Sequence, residues 1–238
     1  MMKKLILTTL IAVMMLLPIV LAANSKQTEP LDKITFIHYK DGEVKQVGAA
    51  FKSPTCYKLM GIKWNTLPVS YVINPTNPQG LSASLITSAI SASAETWDAS
   101  TSKKLFNNFY GIDYSATWDD TVDKVDYKNE YVFGTYSDPN VIAVTVVWYT
   151  RVGRQIVDYD VLFNTYYSWA DCAGTSCSTS MDLQNIATHE TGHGLGLSDV
   201  YTSSCSAVTM YGYSWYGDVG KRSLEQADIT GLQKIYGQ

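Results

Sequence analysis

Two histidines and a glutamate have the residue types and the spacing of a hydrolytic metal site. They lie in the sequence His189-Glu190-Thr191-Gly192-His193. Residues four apart on a helix leave the same face about one turn apart, so both imidazoles could hold one zinc ion. Zinc lowers the pKa of a coordinated water towards ~7. Glu190, beside the first ligand, is then predicted to act as the general base for attack on a carbonyl.

The third ligand is predicted to be a carboxylate. The chain has 3 histidines, and the one outside this motif, His38, lies far upstream in the sequence. Asp199 follows His193 closely, and Gly196 between them can adopt φ > 0 and turn the chain back to the metal. Glu225 is the alternative third ligand. Two ordinary helical histidines without a metal are the other interpretation of the pattern.

The elements that would position these residues mix helices with strands. Apolar residues at spacings of three and four predict a helix over 82–97, capped by Ser82 or Ser84. The histidine helix is expected to begin near Ser180 or Asp182. The last helix is expected to begin at Ser223, where Ser223 and Gln226 form a capping-box pattern.

Alternating apolar residues predict the strands. The segments are 34–39, 67–73, 131–133, 141–149 and 156–163. Together with the helices they predict the α+β class. Residues 160–164 are the expected sheet edge to which an extended substrate would add.

The N-terminal residues predict export. Residues 1–23 have the layout of a signal peptide: Lys3 and Lys4, then an apolar run over 5–20, then small residues at 22–23. An uncleaved membrane anchor is the alternative. Residues 24–58 then form an extension or short pro-segment, with a hairpin that turns at 40–43 and returns at 44–47. Residues 59–238 form the catalytic domain. We expect a secreted protein without stable membrane association after signal cleavage.

The four cysteines suit an exported chain with two disulfides. We favour Cys172–Cys177 and Cys56–Cys205, and a four-cysteine metal site is the weaker interpretation. The formal net charge is −4, and the basic residues are scattered, which argues against a nucleic-acid partner.

The segment 189–199 resembles the extended metzincin signature H-E-x-x-H-x-x-G-x-x-H/D, with aspartate in the third position as in snapalysin-like members. Residues 206–211, Ser-Ala-Val-Thr-Met-Tyr, resemble the Met-turn. The resemblance implies that Met210 forms the hydrophobic floor beneath the zinc ligands.

The chain is most similar to matrixin catalytic domains, over roughly residues 60–238. Segments 63–71, 94–97, 160–164 and 224–237 resemble the first strand, the end of the first helix, the cleft strand and the closing helix of that family. The resemblance implies a zincin fold, a mixed twisted sheet with an active-site helix and a C-terminal helix, and one catalytic zinc.

Several features of matrixins are not matched. Their histidines and acidic loops for structural zinc and calcium are not matched here. The aspartates at 119, 120, 123 and 126 favour a solvated turn, with a calcium site as the alternative. Matrixins cap their zinc with a pro-segment cysteine. Cys56 lacks the surrounding Arg-Cys-Gly pattern, so a disulfide is favoured for it.

The resulting hypothesis is a secreted, monomeric zinc endopeptidase that acts on a protein or peptide substrate. Tyr211 and Tyr213 could line the pocket for the residue after the scissile bond or stabilise an oxyanion, with edge packing as the plainer role. A catalytically inactive extracellular binding protein on a zincin scaffold is the alternative, and Glu190 argues against it. Hydrolysis of a non-peptide amide is a third possibility.

Overall fold

The computed structural model describes residues 29–40, 55–121 and 125–238. The strands are β1 (Leu31–Lys40), β2 (Lys58–Leu59), β3 (Tyr71–Ile73), β4 (Gly111–Ile112), β5 (Asn129–Gly134), β6 (Val141–Thr150), β7 (Ile156–Asn164), β8 (Ser168–Ala170), β9 (Ser180–Asp182), β10 (Leu197–Ser198) and β11 (Tyr213–Ser214). The helices are α1 (Ala83–Asp98), α2 (Leu183–Gly194) and α3 (Gln226–Tyr236). This mixture, with its C-terminal helix, confirms the predicted α+β zincin fold.

Seven strands form one mixed sheet in the order β11-β1-β6-β7-β5-β3-β4. The pairs β1–β6 and β6–β7 are antiparallel, whereas β1–β11, β7–β5, β5–β3 and β3–β4 are parallel. The prediction that residues 160–164 form the substrate edge is therefore wrong. They belong to β7, which is paired with β6 on one side and with β5 on the other.

The strand predicted over 67–73 is shorter than expected. Ladder pairing begins at Tyr71, and within residues 67–70 the bridge between Val69 and Phe106 is the one pairing formed. Pro68 has no backbone N–H to donate, which interrupts a ladder at that position.

Two helix starts agree with the sequence patterns and one does not. Ser82 caps α1 by accepting from Leu85 N, and Asp182 caps α2 by accepting from Asn185 N. The capping box expected at Ser223 is wrong: α3 begins later, with Glu225 as its N-cap and Asp228 as the reciprocal partner.

The buried carboxylate of Asp228 explains the late start. It accepts hydrogen bonds from the backbone N–H groups of Glu225, Thr209 and Met210. One carboxylate therefore caps α3 and also holds the loop that carries Met210.

The main core lies between the sheet and the two central helices. Trp97 of α1 is fully buried, and its indole N–H donates to Thr188 O of α2 at 2.8 Å. A smaller cluster, formed by Ala116, Val132, Val144 and Leu162 among others, covers the other face of the sheet. Both faces of β6 are thus buried, which matches its nearly continuous apolar sequence.

Both predicted disulfides, Cys56–Cys205 and Cys172–Cys177, are present. Cys56 therefore does not act as a metal-capping thiol. Disulfides of this kind are typical of oxidising compartments outside the cytosol.

The predicted signal peptide and the predicted turn and return strand at 40–47 lie largely outside the described residues, as β1 ends at Lys40. Among the described helices, none has the length and apolar character needed to cross a membrane. The proposed domain boundaries stay predictions. Strand β1 lies within the predicted extension, 24–58, but it pairs with β6 of the predicted catalytic domain.

Candidate metal centre and active site

Helix α2 presents His189 and His193 from one face. Their Nε2 atoms lie 3.1 Å apart. Each Nδ1 lies against a backbone carbonyl, Thr209 O at 2.7 Å for His189 and Leu197 O at 2.8 Å for His193. A carbonyl only accepts, so each Nδ1 carries the proton and both Nε2 lone pairs face the same point.

The chain turns back to that point after α2. Gly196 has φ +96°, and a Cβ there would meet Ile62 O at 2.6 Å, so this turn requires glycine. Asp199 Oδ1 then lies 3.1 Å from His189 Nε2 and 3.5 Å from His193 Nε2. The hydroxyl of Tyr201 donates to Asp199 Oδ2 at 3.0 Å, which orients the carboxylate.

These three residues fit a zinc ion. Ligand atoms around a tetrahedral zinc lie about 3.3–3.5 Å from one another, close to the separations seen here. Two imidazole lone pairs that face each other repel unless a cation lies between them. Asp199 Oδ1 is buried and has no hydrogen-bond partner among the described residues. His189, His193 and Asp199 together form a group of the kind that can hold a metal ion.

Glu190 lies on the neighbouring face of α2 and is fully buried. Thr145 Oγ1 of β6 donates to Glu190 Oε2 at 2.6 Å, and His38 Nδ1 lies 3.0 Å from Glu190 Oε1. Burial raises the pKa of Glu190 to about 7, with smaller opposing effects from His193 and Thr145. A carboxylate with a pKa near neutrality suits a group that both takes and returns a proton.

Met210 packs beneath the helix. It is fully buried, and Gly192 of α2 leaves the space for it. A Cβ on Gly192 would lie 2.7 Å from Trp97 Cζ2 and closer still to Met210 Sδ. Met210 therefore packs against α2 at the glycine that precedes His193, and its role as the floor beneath the zinc ligands stays a prediction.

His38 lies at the site, so the expectation from its distant position in the sequence is wrong. The His38 ring lies 4.0 Å from that of His189, and Phe36, two residues earlier on β1, stacks on His193 with ring centroids 3.9 Å apart. Neither position carries a local motif, so only the pairing of β1 with β6 identifies them.

Lys221 is a second residue that the sequence analysis missed. Its buried ammonium donates to Tyr211 O, to Tyr213 O at 2.8 Å and to His38 Nε2 at 3.2 Å. Burial lowers the pKa of Lys221 to about 8, so the group is still mostly charged at neutral pH. The neighbouring Arg222 instead pairs with Asp182 at the start of α2.

The remaining candidates lie elsewhere. Glu225 is exposed at the start of α3 and belongs to none of the metal-capable groups among the described residues. Asp120 pairs with Lys33 and Asp126 with Lys128, and Asp123 is outside the described residues. No metal-capable group includes these acids within the described part of the chain, so calcium there stays a prediction.

Comparison with protein families gives a match to the catalytic region. A family model described as Matrixin matches residues 63–237, well over half of the 238-residue chain. The matched part contains α1, α2, the Met210 loop and α3, and it begins after β1.

Proposed function

Because the chain belongs to the matrixin family of zinc-dependent metalloendopeptidases, we propose that it hydrolyses peptide bonds with Glu190 as the general base and His189, His193 and Asp199 as the zinc ligands. The observation that carries the proposal is the convergence of two imidazole Nε2 atoms and a buried carboxylate oxygen within 3.5 Å of one another.

Zinc held by these residues would supply Lewis-acid chemistry, polarising a peptide carbonyl and making a water acidic enough to attack it. The protein contributes the orientation. The carbonyls of Thr209 and Leu197 hold the two imidazoles with Nε2 towards the metal, and Tyr201 holds Asp199.

Glu190 would move the proton. Its carboxylate accepts a proton during attack and returns it to the leaving amine, and Thr145 fixes the orientation of the carboxylate through its 2.6 Å hydrogen bond. Because Glu190 is fully buried, its proton affinity is set by the protein and not by bulk water.

The substrate would bind as an extended strand. Strand β6 runs beside α2 and carries Thr145 towards Glu190. A substrate main chain could pair with the side of β6 that faces away from β7, a position that β1 occupies in this structure and would have to leave. We therefore propose a protein or peptide segment as substrate. The inactive binding protein has no supporting observation, since the matched family is one of peptidases.

We further propose that the protein is secreted after removal of residues 1–23 and acts as a monomer. The two disulfides support an oxidising compartment. Mass spectrometry of the exported protein would test the signal peptide, because retention of Met1 would contradict cleavage.

The central experiment compares wild type, Glu190→Ala and Glu225→Gln for cleavage of an unfolded protein, each after zinc loading and after release of any inhibitory segment. Glu190→Ala should keep its zinc and lose activity by about 10³-fold or more. Glu225→Gln, a change to an exposed carboxyl group, should match wild type. Near wild-type cleavage by Glu190→Ala would refute the assignment of the base.

A further inference from the structure

A buried ammonium group lies beside the proposed active site without a carboxylate to pair with. Lys221 is 3% exposed, and its Nζ donates to Tyr211 O, to Tyr213 O at 2.8 Å and to His38 Nε2 at 3.2 Å. These acceptors are uncharged, and the acids within the described part of the chain act on Lys221 from longer range, without an ion pair. A buried charge costs free energy unless an opposite charge compensates it. Lys221 therefore lacks the partner that its burial requires.

Two further buried polar groups lie next to Lys221 and have no hydrogen-bond partner among the described residues. Asn185 Oδ1 accepts from Lys221 N at 2.6 Å, which leaves the amide Nδ2 of Asn185 as an unused donor. Ser214 follows Tyr213 in β11, and its hydroxyl is also unpaired. Both side chains are 0% exposed. The surroundings of Lys221 thus hold more donors than acceptors, which favours a ligand that accepts hydrogen bonds.

The space between Lys221 and Glu190 has the size of one side chain. The imidazole of His38 fills it, with Nε2 towards Lys221 and with Nδ1 3.0 Å from Glu190 Oε1. The ring of His189 forms a wall, 4.0 Å from that of His38. We call this space, between Lys221 Nζ, Glu190 Oε1 and the His189 ring, the Lys221 pocket.

The strand that carries His38 shows how a substrate side chain could enter the Lys221 pocket. Strand β1 pairs antiparallel with β6 and parallel with β11. A substrate strand that paired in this position would direct every second side chain to the face that carries α2. One of those side chains would then take the place of His38.

The position of Glu190 identifies which substrate residue this is. Glu190 is the proposed base that returns a proton to the leaving amine, and that amine belongs to the residue after the scissile bond. The side chain that lies beside Glu190 therefore comes from the same residue. Tyr211 and Tyr213, whose carbonyls hold Lys221, are the residues that the sequence predicted for this pocket.

We propose that Lys221 determines substrate specificity by binding the carboxylate of a glutamate that follows the scissile bond. The carboxylate supplies the missing opposite charge, and the methylene groups lie beside Glu190. Glutamate reaches about as far from its Cα as an imidazole Nε2 does, whereas aspartate is shorter by a methylene group. Leucine would leave the ammonium group unpaired. The inference rests on the proposed peptidase function and names its substrates as acidic peptide segments.

The first test is the cleavage pattern of an unfolded protein, digested by zinc-loaded enzyme prepared as for the central experiment. Mass spectrometry of the products identifies the residue after each cut. We expect glutamate to be favoured there over leucine by about tenfold, relative to the composition of the substrate. A hydrogen bond to a charged group contributes a factor of about this size.

The second test compares two peptides that differ only in glutamate or leucine after the scissile bond. Wild type should show kcat/KM about tenfold higher for the glutamate peptide. Lys221→Met keeps the length of the side chain but removes its charge, so it should abolish this ratio. A purely structural role for Lys221 would lower both values equally and preserve the ratio. Lys103→Met, a change at an exposed lysine, is the matched control and should keep the wild-type ratio.

Binding measurements separate this inference from the proposed function. In the Glu190→Ala background, calorimetry should show the glutamate peptide binding about tenfold more tightly than the leucine peptide. Adding Lys221→Met should remove the difference. Circular dichroism of each variant shows whether it is folded.

The outcomes are distinct. Equal binding of the two peptides, or a glutamate preference that survives Lys221→Met, would overturn the role of Lys221. If wild type cleaves both peptides equally well, the specificity fails while the peptidase function stands. If the binding preference depends on Lys221 but neither peptide is cleaved, the Lys221 pocket stands and the peptidase function fails.

Discussion

The imidazole of His38 donates from Nδ1 to Glu190 Oε1 across 3.0 Å, and the two residues are 152 positions apart in the chain. The contact places a residue of the N-terminal extension on the proposed general base. It also explains why Glu190 is fully buried although a catalytic base must meet substrate. The state described here is therefore one in which the proposed catalytic residues are assembled and covered at the same time.

Asp199→Asn should lower zinc affinity strongly while Glu225→Gln leaves it unchanged. An amide lacks the negative charge that completes the shell, so about a tenfold to hundredfold loss is expected. Competition with a chelator, followed by metal analysis, measures the affinity. Zinc loss in Glu225→Gln with none in Asp199→Asn would identify Glu225 as the third ligand instead.

Thr145→Val should reduce kcat by about tenfold without removing zinc. The change, which keeps the shape of the side chain, deletes the hydrogen bond from Thr145 Oγ1 to Glu190 Oε2. In wild type this bond lowers the pKa of Glu190, while burial raises it by more. Loss of this bond raises that pKa, so the acidic limb of the rate profile should move to higher pH. A purely structural role for Thr145 would lower activity equally at every pH.

Gly192→Ala should destabilise the protein by about 1–3 kcal/mol. The added methyl group would collide with Trp97 Cζ2 at 2.7 Å and with the thioether of Met210. Chemical denaturation measures the loss. The double variant Gly192→Ala with Met210→Ala should recover part of it, and strictly additive effects would show that Met210 is not packed against Gly192.

Removal of the Cys56–Cys205 disulfide should cost more stability than removal of Cys172–Cys177. The sequence separations are 149 and 5 residues, and the loop-entropy relation gives about 5 kcal/mol for the longer loop and about 2 kcal/mol for the shorter one. Paired serine variants, compared in urea, measure the difference. Equal losses would contradict an entropic origin.

Asp160→Asn should reduce the amount by which the free energy of unfolding falls as the pH rises. Burial, together with Asp158 and Glu130, raises the pKa of Asp160 from 3.8 to about 10. Between those values the folded state holds a proton that the unfolded chain has released, so stability falls as pH rises through this window. Asparagine keeps the acceptor for Glu130 N without the titrating proton.

The measurement for Asp160→Asn is the free energy of unfolding at pH 5 and at pH 8. Wild type should lose more stability between the two than the variant does. Asp32→Asn is the control, since that side chain is 48% exposed on β1. An equal decline in Asp160→Asn and in wild type would show that Asp160 is already charged in the folded protein over this range.

The sequence by itself determined the local chemistry of this protein. A spacing of four on a helix dictates that His189 and His193 share a face, and a glycine after the helix permits the turn that brings Asp199 back. These relationships lie within a few residues, where backbone geometry leaves few choices. The N-caps at Ser82 and Asp182 follow for the same reason, whereas the start of α3 depended on Asp228 and its distant donors.

Only the tertiary structure decided what surrounds the site. Which strand borders the cleft depends on the pairing of β6 with β1 and β7, a long-range choice that alternation along one strand does not reveal. That pairing brings Thr145 and His38 to Glu190, and Lys221 reaches His38 from the turn before α3. None of them carries a local signal, because each acquires its role through contacts made only when the sheet and α2 pack together.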